Sequence, residues 1–130
     1  MGYVILVLAS VVFCAMKFIL AVIQPTKLDA VRQALNSIAV TRMTVCDAQG
    51  FARQRGQTEM YRGHEYKSHL LRKIALEIMV NDDFLERTVD TLIEAARTGP
   101  EGQIGDGKIF VLPALATIQL FGEVHGPEAV

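Results

Sequence analysis

Cysteine is scarce in this chain: Cys14 and Cys46 are the only two among 130 residues. They form no C-x-x-C spacing, which excludes a disulfide framework and a cysteine-rich metal cage and favours a reducing compartment. Both read as small buried hydrophobes. An excess of charge of either sign is missing as well, since 13 basic and 14 acidic side chains leave a formal net charge of -1. No global field draws the protein to nucleic acid or to an anionic bilayer, so any anion site is local. Charged residues make up 21% of the chain against 51% hydrophobic, which excludes intrinsic disorder and predicts a packed interior. A length of 130 residues is one domain's worth, small enough that self-association would help its core.

Charge is absent altogether from Met1 to Met16, and Tyr3 to Met16 is apolar apart from Ser10. That run is shorter than the roughly 20 residues a transmembrane helix needs. Prolonging it to Ile23 puts Lys17 in the hydrocarbon. As a secretory signal it lacks a basic start, and Phe13-Cys14-Ala15 is no small-x-small cleavage site. Three readings rank in order: translation beginning at Met16, a flexible or membrane-touching extension, and a true span. The division expected is 1–15 for the apolar extension, 16–122 for the domain and 123–130 for a tail.

Within the domain, Lys17 to Gln24 is an apolar run ending at Pro25, which suits a buried strand. Thr26-Lys27-Leu28-Asp29 reads as a variant capping box, and Leu28, Val31, Leu35 and Ile38 recur at helical spacing behind it. Met43 to Ala48 has the character of a second strand, closed by Gly50. From Lys73 onward Ile74, Leu76, Ile78 and Val80 alternate with other residues, a half-buried strand. Asn81, Asp82 and Asp83 offer helix caps. Leu85, Val89, Leu92, Ile93 and Ala96 trace the second helix, stopped at Gly99-Pro100. Lys108 to Leu112 is a fourth strand, with a short fifth over Thr117 to Phe121. The order predicts an α+β, ferredoxin-like double βαβ sandwich with two helices on one face. The other face of the sheet needs a cover, and association through it is the simplest one.

Phe51 to Arg72 shows no sustained period. Irregular connections beyond about 15 residues are usually binding loops or disordered, and Tyr61 and Tyr66 among Arg53, Arg55, Arg62 and Lys67 are contact chemistry. This long loop between strands 2 and 3 is the first functional candidate. The second is Gly105-Asp106-Gly107-Lys108 ahead of Ile109-Phe110-Val111: two glycines let backbone amides approach an anion, and the lysine adds a point charge. By itself the pattern is equally a plain turn. His64, His69 and His125 have no zinc-like spacing. Nothing puts Glu59 and Glu65 in a pocket that would make them a catalytic pair.

Taken together, K-F-I-L-A-V-I-Q-P with K-L-D-A-V-R-Q-A-L, then M-T-V with G-F-A-R-Q-R-G-Q-T-E-M-Y-R-G-H-E-Y, and finally I-G-D-G-K-I-F-V resemble the PII nitrogen-regulatory signal-transduction family from Met16 to about Phe121. The resemblance implies a non-enzymatic cytoplasmic sensor. It would be a homotrimer with ATP or ADP, or AMP, held between subunits. Its long T-loop, about 51–72 here, would dock on protein targets such as an ammonium channel or another membrane transporter. Gly105, Asp106, Gly107 and Lys108 would cradle the phosphates, Arg53 and Gln54 would stand at the base of the loop, and Thr44 would hold nucleotide from the neighbouring strand. Gln54 and Lys73 would serve 2-oxoglutarate, with Gln54 also meeting a magnesium ion carried by ATP. Tyr66 falls where some members are uridylylated.

Three departures stand out: His64 inside Y-R-G-H-E-Y, the added Pro100-Glu101-Gly102-Gln103, and Gln119 and Phe121 where the family usually offers arginines. No Lys or Arg follows Lys108, which would weaken a triphosphate most and let ADP or AMP compete. Other readings of such a fold are an acyl phosphate or phosphate-ester hydrolase and a trimeric metal-binding module. The hydrolase would need its phosphate loop near the first strand and helix, whereas the glycine-rich segment here precedes the last strand. RNA recognition lacks its aromatic strand motif.

Overall fold

The computed structural model describes residues 15–51, 59–61, 64–66 and 70–130. The first strand, β1 (Met16–Ile23), buries Ile19, Ala21 and Ile23 because a strand turns alternate side chains to one face. Pro25–Lys27 then makes one 3-10 turn, leading into helix α1 (Leu28–Ser37). No side chain caps that helix, so the expected Thr26 capping box is corrected: Pro25 sets up the turn, and Thr26 lies inside it. The helix buries Val31 and Leu35, with Leu28 and Ile38 packed against them.

The second strand, β2 (Thr44–Phe51), does not stop at Gly50 as expected. Its partner β5 (Leu70–Asn81) starts three residues before Lys73, and pairs run out to Gly50 with Leu71 and Phe51 with Leu70. The loop expected over 51–72 is correspondingly shorter. It contains two short strands, β3 (Glu59–Tyr61) and β4 (His64–Tyr66), paired antiparallel.

Helix α2 (Asp82–Ala96) follows β5 directly, and the Lys17 ammonium lies 2.7 Å from Asp82 in its first turn. Asn81 stands at the N-cap position without using its side chain there; its amide donates to the Pro127 carbonyl at 3.3 Å. Strand β6 (Gly107–Pro113) completes the main sheet. The expected fifth strand shrinks to β7 (Ile118–Gln119), paired with β8 (Val124–His125).

The sheet order is β2-β5-β1-β6, every neighbour antiparallel, which is the ferredoxin-like double βαβ arrangement. Both helices cover one face over Ile19, Ile23, Ile74, Leu76 and Ile78, with Leu92 of α2 packed onto them. Thr88, which the hydrophobic pattern passes over, is fully buried; its hydroxyl donates back to the Phe84 carbonyl at 2.6 Å. The opposite face carries Phe18, Leu20 and Val22 of β1, Ala75 and Met79 of β5, Cys46 and Ala48 of β2, and Phe110 and Leu112 of β6.

Candidate ligand-binding site at the glycine turn

Strand register gathers the site. Ile23 pairs with Ile74 on one side and Gly107 on the other, so Gln24, Lys73 and Asp106, each one residue further on, meet at the same end of the sheet. Gly107 has φ of 123° and passes so close to β1 that a Cβ there would collide with the Val22 carbonyl. Only glycine tolerates both conditions. The turn is thereby pressed onto the strand ends.

Lys73 is only 7% exposed, and its ammonium donates to the Gly105 carbonyl at 2.6 Å. The Gln24 amide donates to the same oxygen at 3.2 Å and reaches Asp106 Oδ1 at 3.4 Å. Two donors on one carbonyl fix the orientation of that peptide. The family resemblance makes Lys73 an effector ligand; in the fold of the single chain it braces the turn. Gln24 was not singled out at all, and its only local signal is its position ahead of Pro25.

Asp106 faces back into its own loop. Its carboxylate accepts from the Thr98 amide at 2.9 Å, the Thr98 hydroxyl at 2.7 Å and the Gln103 amide at 2.8 Å, while its own amide donates to the Gln103 carbonyl at 3.1 Å. Partial burial pushes the carboxyl up, but the Thr98 and Gln103 hydrogen bonds and the Lys27 charge outweigh it and hold Asp106 below its ordinary value of 3.8. Asp106 thus closes the loop from 98 to 106, a role that sequence reasoning missed along with Thr98.

Lys108 pairs with Val22 and is exposed on the helix-free face. Lys73 starts from the same face two residues along from Ala75. Thr44 lies apart: it pairs with Glu77, whereas Ala48 pairs with Lys73, a separation of four residues or about 13 Å along the strand. Within one chain Thr44 and the glycine turn do not meet. Arg53 and Gln54 lie outside the described residues. Tyr66 ends β4, paired with Glu59. Gln119 is half-buried in β7, and Phe121 stands in solvent.

The family model for "Nitrogen regulatory protein P-II" matches residues 16–121. The chain belongs to the P-II family. This P-II chain is 46% identical over 116 residues to nitrogen regulatory protein GlnK1 of Methanosarcina mazei, covering 89% of this chain and 98% of that relative. It is 50% identical over 105 residues to nitrogen regulatory protein P-II 1 of Escherichia coli, covering 81% and 91%. Among solved structures, PII of Arabidopsis thaliana bound to citrate superposes with a TM-score of 0.71 at 32% identity, covering 89% of this chain and 90% of that one. The P-II chain is therefore a nitrogen-regulatory signalling protein with the ferredoxin-like fold of its relatives. Among the described residues, no helix is long and apolar enough to cross a membrane, and no cluster of His, Cys, Asp and Glu could hold a metal.

Proposed function

We propose that this P-II protein senses adenine nucleotide, ATP, ADP or AMP, in clefts between the copies of a homotrimer and passes the state of that site to protein targets through the loop between β2 and β5. The observation that carries the reading is the braced turn: Lys73 and Gln24 hold the Gly105 carbonyl, Asp106 locks the loop behind it, and Lys108 is left exposed beside them. A preformed bend with a free ammonium is suited to phosphate, because no reorganisation opposes binding. Gly105 and Gly107 supply the backbone, Lys108 the charge, and Asp106 the closure of the loop. The four-residue separation along β2 between Thr44 and Ala48, the partner of Lys73, about 13 Å, favours Thr44 of a second copy as the far wall of the cleft. The apolar helix-free face favours the same association.

In this reading Arg53 and Gln54 join from the base of the loop, and Gln54 meets magnesium brought by ATP. A dicarboxylate such as 2-oxoglutarate would compete with the Gly105 carbonyl for Lys73, coupling effector to turn. The protein acts by binding and not by turnover, in the cytoplasm, with a membrane transporter such as an ammonium channel among its targets and Tyr66 as a modification site. With Gln119 and Phe121 instead of cations, ADP and AMP are expected to rival ATP.

Calorimetry with ATP, ADP, AMP and 2-oxoglutarate, with and without magnesium, tests this together with mass in solution. Nucleotide binding one per chain is expected, with no phosphate release from ATP. Lys108→Ala should weaken binding about tenfold or more, as loss of one charge-assisted bond implies. A folded protein that takes up no adenylate at millimolar concentration defeats the reading.

A further inference from the structure

The segment Pro100-Glu101-Gly102-Gln103 stands ahead of the glycine turn as a built loop and not as slack chain. The Arg97 guanidinium donates to the Pro100 carbonyl at 3.2 Å. Behind it the Gln103 amide donates to the Asp106 carboxylate at 2.8 Å, and the Asp106 amide returns to the Gln103 carbonyl at 3.1 Å. Gly102 passes so close to that carboxylate that a Cβ there would lie 3.2 Å from Asp106 Oδ2. Glu101 adjoins Gly102, so its backbone lies within roughly 8 Å of the same oxygen. That is about one Debye length at physiological salt.

Glu101 and the candidate phosphate cradle share one space. Arg97, Glu101, Asp106, Gly107 and Lys108 all line the same open cleft of about 650 Å³, a volume that suits a nucleotide-sized ligand. Glu101 is exposed, and no hydrogen bond or ion pair joins its carboxylate to any described residue. The neighbouring cations are turned to the protein's own carbonyls: Lys73 to Gly105, Arg97 to Pro100, and Lys27 to Arg97 at 3.5 Å. Asp106 is held by Thr98 and Gln103. Among the described residues, Lys108 and Glu101 are then the uncommitted charges of the cleft, one of each sign.

We propose that Glu101 grades the ligands of this site by charge, its carboxylate opposing each phosphate beyond the first and turning the cleft toward AMP and ADP and away from ATP. The inference rests on the adenylate site proposed above and adds the residue that discriminates within it. Lys108 attracts any phosphate at the turn, whereas repulsion from a fixed carboxylate grows by one unit of charge with each phosphate added. Between AMP and ATP, at this separation and in a wet cleft, that growth amounts to about a tenfold difference in binding. Gln119 and Phe121 withhold attraction from the triphosphate; Glu101 adds repulsion to it.

Calorimetry of AMP, ADP and ATP on the wild type and on Glu101→Gln, at low salt and without magnesium so that each ligand brings its full charge, tests the grading. The variant should bind ATP about tenfold more tightly relative to AMP than the wild type does, with ADP between. Raising the salt to about 0.5 M should erase most of that gain. Glu101→Lys moves the charge by two units and should widen the change to about a hundredfold. Because the side chain stands in solvent, both variants should keep the circular dichroism spectrum and urea midpoint of the wild type. A residue that merely shaped the loop would shift all three nucleotides alike, whatever the salt. Equal changes for the three ligands, no change at all, or a gain that salt leaves intact therefore overturns the role of Glu101 while the nucleotide site stands. Failure of the wild type and both variants to bind any of the three defeats the adenylate reading and this one together.

Discussion

Gly107 has the least freedom of any residue at the site. Its φ of 123° and the collision a Cβ would make with the Val22 carbonyl act together, so Gly107→Ala should destabilise the fold by about 3 kcal/mol or more, read as a lowered urea midpoint at unchanged slope. Gly105 is the control: its φ is 99° but nothing lies within 4 Å of a Cβ, so Gly105→Ala meets strain alone and should cost about 1–2 kcal/mol. Asp106 is read through pH. Its folded-state pKa lies below the ordinary 3.8, so the carboxylate is more stable folded than unfolded. That contribution is fully present above the unfolded value and is lost as pH falls through the lowered folded value. Asp106→Asn keeps one acceptor oxygen and loses the charge, and should destabilise by about 1–2 kcal/mol at pH 7. Denaturant titrations of the two proteins should begin to approach each other as pH falls below about 4 and meet only below the lowered folded-state value; a gap that persists in stronger acid would mean that packing, not the carboxylate charge, holds the loop.

At the scale of elements, the hydrophobic period located both helices and β5, because burial on one face is what the period records, whereas β1, β2 and β6 were legible as short apolar or β-branched runs. Ile74, Leu76, Ile78 and Val80 are all buried, as their alternation predicts. What the pattern could not record was pairing. β2 runs through Gly50 because Leu70 and Leu71 continue opposite it, and cross-strand partners override the local tendency of glycine to end a strand. The site was legible in Gly105 to Lys108 but not in Gln24 or Thr98, whose roles exist only through tertiary contacts with that turn. A further feature invisible in sequence lies at the end of α1. The Val40 amide donates to the Leu35 carbonyl at 3.0 Å and the Ala39 amide to the Asn36 carbonyl at 3.1 Å, the Schellman closure, with Ala39 at φ of 65°. That position favours glycine. Ala39→Gly should therefore stabilise the protein by about 0.5–1 kcal/mol, a rise in melting temperature measurable by calorimetry.

For the whole molecule, the decisive asymmetry is between the two faces of one sheet. The helix-covered face holds a closed core. The other pairs Val22 with Ala75 and Lys108, and Cys46 with Ala75, an apolar field interrupted by the exposed Glu77 opposite Leu20 and edged by the cations of the candidate site. Its partner must leave the glycine turn reachable while excluding water from Phe18, Leu20 and Phe110, and further copies of the same chain meet both conditions if each contributes one edge of the cleft. Cys46 reports on this, since it lies on that face and is half-buried in the single chain. In a Cys14→Ser background, so that one thiol remains, labelling of Cys46 by a disulfide reagent should be slowed at least about tenfold in the concentrated assembly relative to dilute, dissociated chains. Adenylate, by holding two copies together across the cleft, should extend that protection to lower protein concentration. Labelling at one rate across the dilution series would mean that the face stays open to water, and the cover would have to come from another protein.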